Sequence, residues 1–302
     1  MGASPVPMFD LARASAGPTA SLSDRDLRRV AEYIGAEVGI QLPPSKRSLV
    51  EGRLGKRLRR LGFCDYTSYL DYALDAEEGN AERIHLVDAI TTNKTDFFRE
   101  PQHFHYLVEQ ALPELERARG LAGPRELSVW SAGCSSGEEP YTLAMVLCEA
   151  AEQRPRRRFS ILATDISRRA LETAVRGIYP EQRVAPVPLL LRRKYLLRSR
   201  NRMEGLVRMG PRLCERTRFG QLNLMARNFG LERQMSVIFC RNVMIYFSPA
   251  DRQQLARRFA AQLVPGGYLF IGHSESLNGL DTGLKQLSAA VYRKAETSSR
   301  KS

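Results

Sequence analysis

A chain of 302 residues is long enough for two domains and a substantial core. Its composition is that of a globular protein: no window approaches the roughly 18 unbroken apolar residues of a membrane span. The five cysteines (Cys64, Cys134, Cys148, Cys214 and Cys240) include no Cys-x-x-Cys pair, which excludes a zinc knuckle or disulfide frame and predicts reduced thiols in a cytoplasm.

Residues 1–21 are rich in Pro, Ala and Ser, lack the apolar stretch of a signal peptide, and are expected to form a disordered tail. Ser23 or Asp24 can cap a helix over about 24–38, with Leu27, Val30, Ala31 and Ile34 on one face. A second helix, about 46–61, places Val50, Leu54, Leu58 and Leu61 on one face. Lys46, Arg53, Lys56, Arg57, Arg59 and Arg60 spread over the opposite side and flanks. The net charge of +13 is concentrated here: residues 25–61 hold ten Arg or Lys against four Asp or Glu. Such a surplus suits an acidic partner, whether nucleic acid, anionic lipid or acidic protein, although a basic face can also be simply solvated. Helices continue over 66–74 and 81–90, closing a helical domain of residues 22–90.

The polar run Thr91-Thr-Asn-Lys-Thr-Asp-Phe-Phe-Arg-Glu100 comes next, then a helix over about 103–118 and a linker to residue 125. The run from Leu127 to Pro140 is the centre of the second domain, 126–295. A short apolar strand, 127–132, breaks at Gly133 into a turn ending at Gly137, and a helix starts near Glu138. Strand, glycine turn and helix N-terminus form the nucleotide-binding opening of a doubly wound α/β sheet. The spacing is Gly-x-x-x-Gly with no Lys-Ser or Lys-Thr after it, so the turn does not read as a phosphate-cradling P-loop. Glu138 and Glu139 suit a ligand with hydroxyls, an amine or a sulfonium; an ordinary βα turn has the same spelling. Asp165 closes a second strand that begins at Phe159, where a carboxylate either binds ribose hydroxyls or caps the next helix.

Residues 178–222 break the alternation, with strand-like runs at 204–209 and 214–219, and predict a small antiparallel excursion. Regularity returns with a strand over 235–240, a helix from Pro249, a strand over 268–271 and a last strand over about 288–294, before a second disordered tail at 296–302. The histidines His85, His103, His105 and His273 have neither a His-x-x-x-His spacing nor a Cys companion, so no metal is expected. No Gly-x-Ser-x-Gly elbow supports a serine hydrolase.

Five runs together resemble the CheR family of chemotaxis receptor methyltransferases. They are Thr91 to Glu100, Ser131-Ala-Gly-Cys-Ser-Ser-Gly-Glu-Glu-Pro-Tyr141, Ala163-Thr-Asp-Ile166, Phe239-Cys-Arg-Asn-Val-Met-Ile-Tyr-Phe247 and Gly272-His-Ser-Glu275. The resemblance implies an S-adenosylmethionine-dependent O-methyltransferase that esterifies glutamate side chains of chemoreceptors and leaves S-adenosylhomocysteine. It implies a class I methyltransferase sheet with a small inserted antiparallel β-subdomain near 180–220, preceded by an all-helical N-terminal domain. Carried over by motif, Asn93, Thr95, Arg99, Glu139, Asp165, Asn223, Leu224, Arg241 and Asn242 would contact the cofactor, and Arg99 and Tyr246 would lie beside the reacting methyl. Segment 91–125 would contribute to that site as linker and helix. Arg53, Arg57 and Arg60, at i, i+4 and i+7, would track the acidic coiled coil of a receptor's cytoplasmic methylation region. A monomer is implied, with neither nucleic acid nor membrane insertion.

Two departures stand out. Ser236 occupies a strand position where an aspartate is common in the family, and the stretch 198–205, which would need to be glycine-rich to dock a receptor's C-terminal pentapeptide tether, contains only Gly205. An RNA-directed class I methyltransferase would also suit the basic patch, but the patch is not interleaved with aromatic residues for base stacking. A non-catalytic sensor of S-adenosylmethionine is the remaining alternative.

Overall fold

The computed structural model describes residues 21–118, 126–153, 158–201 and 205–296. Except for Ser21 and Glu296, the expected tails lie outside the described residues, as do 119–125 of the linker and 202–204 of the glycine-poor stretch. Two compact units meet in sequence between Thr92 and Asn93. The segment expected as one linker from 91 to 125 is therefore parted, with Asn93 onward in the second unit.

The first unit is helical. Helix α1 (Asp24–Val38) starts at Ser23, whose hydroxyl accepts the Asp26 N–H at 3.0 Å, and stops at Gly39 in the left-handed conformation. Helix α2 (Arg47–Leu61) buries Val50, Leu54, Gly55 and Leu58 and ends at Gly62. Helix α3 (Tyr66–Leu70) runs into a widened turn, Asp71–Asp75, and α4 covers Asn80–Ile90. Arg57 reaches from α2 to α4, where its Nε donates to Glu82 Oε1 at 2.6 Å and its Nη2 to the other carboxylate oxygen. Tyr69 donates to Glu82 Oε1 at 2.9 Å. The Glu82 side chain is 4% exposed, so this is a buried ion pair. Arg53 donates to the carbonyls of Ile90 and Thr91 and to the Thr92 hydroxyl. It thereby satisfies carbonyls that the end of α4 leaves without helical partners. The stripe expected of Arg53, Arg57 and Arg60 is thus uneven: the first two have partners inside their own unit. Lys46, Lys56, Arg59 and Arg60 are exposed.

The second unit opens with α5 (Gln102–Tyr106) and α6 (Leu112–Ala118), which are one helix interrupted by a widened turn at Leu107–Ala111. The strands β1 (Leu127–Ala132), β2 (Phe159–Asp165), β3 (Ile178–Pro180), β4 (Leu196–Arg198), β5 (Leu206–Met209), β6 (Thr217–Gln221), β7 (Met235–Cys240), β8 (Leu263–Ile271), β9 (Leu284–Ser288) and β10 (Val291–Lys294) follow. Between them lie α7 (Glu138–Glu152), α8 (Arg168–Arg176), α9 (Leu189–Tyr195), α10 (Pro211–Cys214) and α11 (Pro249–Gln262). A seven-stranded sheet has the order β6-β2-β1-β7-β8-β10-β9. From β6 to β8 neighbours are parallel, and β10 runs antiparallel to both β8 and β9. Strands β1 and β7 are buried along their whole length, as strands covered on both faces must be, so their sequences are continuous apolar runs and do not alternate. Phe239 and Phe270 stack across β7 and β8 with centroids 4.4 Å apart.

Three sequence expectations need correction. The run at 214–219 does not belong to the small sheet. As β6 it pairs in parallel with β2 at the edge of the main sheet, and among the described residues the inserted antiparallel sheet has β3, β5 and β4. Its strand-like pattern was visible, but parallel pairing is a long-range property that turn signals do not carry. Strand β8 begins at Leu263, five residues before the expected start at Tyr268. Gly267 lets the backbone through, since a Cβ there would lie 3.0 Å from the Ser236 carbonyl. The last strand is a hairpin, β9 and β10, turning at Ala290 with φ 63°.

Candidate active site

The strand order reverses between β1 and β7, and ligands of open α/β sheets bind beyond the carboxyl ends at such a point. The loops after β1 and β7 touch there. Gly133 has φ 81°, and a Cβ on it would lie 2.5 Å from Val243 Cγ2, so glycine is required both for the turn and for the contact.

One group of predicted residues gathers around Asp165. Its Oδ2 accepts the Ser135 N–H at 2.7 Å and its Oδ1 the Ser167 N–H at 2.9 Å. Both carboxylate oxygens thus serve as acceptors for backbone N–H groups, one in the glycine turn and one at the start of α8. The cap of α8 is Ser167, which accepts the Ala170 N–H. Asn93 donates to the Ser167 hydroxyl at 3.2 Å, and its carbonyl accepts the Ser135 hydroxyl at 3.0 Å. The Leu222 N–H donates to the Asp165 carbonyl at 3.0 Å, which starts the Asn223–Leu224 turn beside it. Asn223 Oδ1 accepts the Met225 N–H at 2.9 Å, and Leu224 is buried.

A second group gathers around Arg241, whose side chain is 2% exposed. Its Nη2 donates to the Arg99 carbonyl and lies 3.4 Å from Glu100 Oε2. Its Nη1 lies 3.5 Å from Glu139 Oε2, and the guanidinium sits 5.4 Å from the centroid of the Phe104 ring. Ser131 donates to Glu139 Oε1 at 2.6 Å. Burial pushes the Glu139 carboxyl above its ordinary range, while Arg241 and the Ser131 hydroxyl pull it back. Asn242 donates through Nδ2 to Glu100 Oε1 at 3.4 Å. Arg99 donates to the Lys94 carbonyl at 3.2 Å, spanning the half-buried Thr95. Tyr246 closes a short 3-10 turn, Met244–Tyr246. Arg53, Arg57 and Arg60 belong to the other unit.

The loops around the strand reversal are strained. Phe98, Glu100, Ser135 and Asn242 have φ between 50° and 58°, a region non-glycine residues avoid at about 1–3 kcal/mol each. Such strain concentrates at functional sites and persists only where surroundings enforce it.

Several participants carry no local sequence signal. Glu100 matters through contacts made across the fold, to Arg241 and Asn242. Arg183, in the turn after β3, pairs with the buried Glu138 at 2.6 Å, tying the small sheet to the glycine turn. His103 and His273 are far apart in sequence, yet their ring centroids are 4.5 Å apart. Ligand atoms of Glu100, His103 and His273 lie within 4.8 Å of one another, a grouping that residue spacing could not reveal. A dication there would face the Arg241 guanidinium, 3.4 Å from Glu100 Oε2.

His103 is 2% exposed and neither ring nitrogen has a hydrogen-bond partner among the described residues. Burial and then the Arg241 charge hold it down at about 4. With the folded value below the unfolded one, only the unfolded chain takes up this proton as pH falls from about 6.5. Stability is therefore expected to decline between pH 6.5 and 4, by up to about 3 kcal/mol from this residue. Urea unfolding at each pH should show a slope that flattens in His103→Asn; an unchanged slope would exonerate the histidine.

The family description "CheR methyltransferase, SAM binding domain" matches residues 93–293, and "CheR methyltransferase, all-alpha domain" matches 25–91. A chemotaxis protein methyltransferase of Borreliella burgdorferi is 40% identical over 275 residues, covering 91% of this chain and 95% of the relative. Proteins of the same description from Klebsiella aerogenes and Escherichia coli are 39% and 38% identical, over 91% and 90% of this chain and 89% and 91% of their own lengths.

Proposed function

The chain belongs to the CheR methyltransferase family, and on that premise we propose that its crevice esterifies glutamate side chains of chemoreceptors. It is a methyltransferase of that type, with S-adenosylmethionine as donor and a class I sheet as scaffold. What supports the substrate reading is the gathering of Asp165, Glu139 and Arg241 on the loops at the strand reversal, in a chain so similar to named chemotaxis methyltransferases.

The residues fit the donor. Asp165 is a carboxylate at the end of β2, the kind of group that accepts ribose hydroxyls, Glu139 offers a carboxylate to an ammonium, and Asn223 and Leu224 combine a polar and an apolar contact suited to adenine. Nε and Nη1 of Arg241 are buried without a hydrogen-bond partner among the described residues, capacity that suits a carboxylate. Asn93 and Thr95 would line the crevice beside Asp165. When bound, the sulfonium supplies a methyl already activated by positive charge.

A glutamate substrate, with a pKa near 4.3, is ionised at neutral pH and needs no general base. The chain's task is to aim a carboxylate oxygen at the methyl, in line with the departing sulfur, and to exclude water. Orientation of this kind can supply roughly 7–11 kcal/mol. Arg99 and Tyr246 are assigned to hold the incoming carboxylate. If Arg99→Ala or Tyr246→Phe kept wild-type turnover at saturating donor and receptor, that residue would leave the role.

The partner surface is the exposed basic side of α2, facing an acidic methylation helix. Arg60→Glu is expected to lower receptor methylation about tenfold without altering stability. Arg57→Ala should instead destabilise the helical unit by about 3 kcal/mol, because Glu82 is left buried and unpaired. Unfolding curves and methylation rates on both variants separate the roles; equal stability of the two would overturn this division. The enzyme acts in this reading as a cytoplasmic monomer on the helix itself, with no tether.

The decisive experiment is transfer of a labelled methyl to purified chemoreceptor. Esters release the label as methanol in alkali. Label appearing only on RNA, or donor binding without transfer, would sink the proposal.

A further inference from the structure

We propose that Glu275 is a positioning residue for donor binding, holding the Asn242–Ile245 part of the loop after β7 in its receptive shape through backbone hydrogen bonds that Gly272 makes room for. The proposal rests on the reading of Asn242 as a donor contact.

The Glu275 side chain turns back from the loop after β8 into a ring of N–H groups. Its Oε2 accepts from Gly272 at 2.5 Å and from Asn242 at 2.9 Å, and its Oε1 accepts from Ile245 at 3.2 Å. The residue is 8% exposed, and among the described residues no lysine or arginine pairs with it. Its charge is met by oriented backbone dipoles, as in an anion-binding nest with the anion built in. Burial pushes the carboxyl up, and the backbone donors oppose that.

The bonded groups matter more than their number. Asn242 has φ 58° and would relax without an enforced partner. Its N–H is fixed by Glu275, while its side chain points to Glu100. Ile245 directly precedes Tyr246. The two anchors therefore lie within the loop, one directly after Arg241 and one directly before Tyr246. Gly272 is the complement: a Cβ there would lie 2.6 Å from Asn242 Nδ2 and 2.9 Å from its backbone nitrogen. None of these bonds joins core elements to each other, so their loss should reshape the loop and leave the sheet standing.

Glu275→Gln keeps the volume but places an amide N–H against at least one backbone donor. KM for S-adenosylmethionine and Kd for S-adenosylhomocysteine are expected to rise about tenfold, with kcat at saturation falling less than about threefold. Gly272→Ala, acting from the other side of the same contact, should give the same split. Combining Glu275→Gln with Asn242→Ala should weaken binding no further than the worse single change, because both act through one contact. If Asn242→Ala binds S-adenosylhomocysteine normally, the reading of Asn242 fails and the proposal with it. If Asn242→Ala is impaired while folded Glu275→Gln and Gly272→Ala bind normally, only the positioning role fails. A loss confined to thermal stability, or effects that multiply in the double variant, would likewise overturn it.

Discussion

Arg241→Met is expected to cost about 3–5 kcal/mol of folding stability and to weaken S-adenosylhomocysteine binding more than a hundredfold. The guanidinium is buried between Glu100 and Glu139, bonded to the Arg99 carbonyl and placed over Phe104. Methionine keeps much of the stem volume, so the loss is chiefly electrostatic: two carboxylates would remain in a poorly solvated crevice. Removing one partner of a buried pair is far more damaging than replacing both. The deficit should be smaller near pH 5 than near pH 8. Without Arg241 the Glu139 carboxyl rises further, and a group raised in the folded state favours folding at low pH and loses that contribution as pH increases. Chemical unfolding at the two pH values, with calorimetry, checks both parts. A loss under about 1 kcal/mol with retained binding would show that the pair is dispensable.

Asp165→Ala should reduce S-adenosylhomocysteine affinity by at least about a hundredfold. Hydrogen bonds to a charged group contribute roughly 1.5–3 kcal/mol each, and in the proposed reading two ribose hydroxyls would lose their acceptor. The Ser135 and Ser167 N–H groups lose theirs as well, so the glycine turn and the start of α8 loosen together. Asp165→Asn keeps one acceptor oxygen and should fall between, near tenfold. An alanine variant binding within threefold of wild type would reduce Asp165 to a loop tie.

Much of this site could be read in the sequence because its pieces are local. Gly133 announces a turn, Asp165 ends a strand, and Arg241-Asn242 follows an apolar run, so each places itself at the same edge of a parallel sheet. The pairing of β6 with β2 was not legible, since nothing in residues 217–221 distinguishes a main-sheet edge from a small excursion. Nor was Arg57: its spacing puts it on the basic flank, while Glu82, 25 residues later, decides that it faces inward. Ser236, where the family commonly has aspartate, still accepts the Ser128 N–H at 3.2 Å. The shorter polar side chain keeps a strand-to-strand bond without burying a charge.

The left-handed residues around the crevice set a limit on engineering for heat tolerance. Phe98, Glu100, Ser135 and Asn242 each hold a conformation that glycine adopts without penalty. A library screened only for survival at high temperature would be drawn toward such positions, and changes there would blunt methyl transfer before the sheet noticed. Ala290, equally left-handed but in the β9–β10 hairpin, offers the same kind of gain away from the chemistry, and is the place to begin.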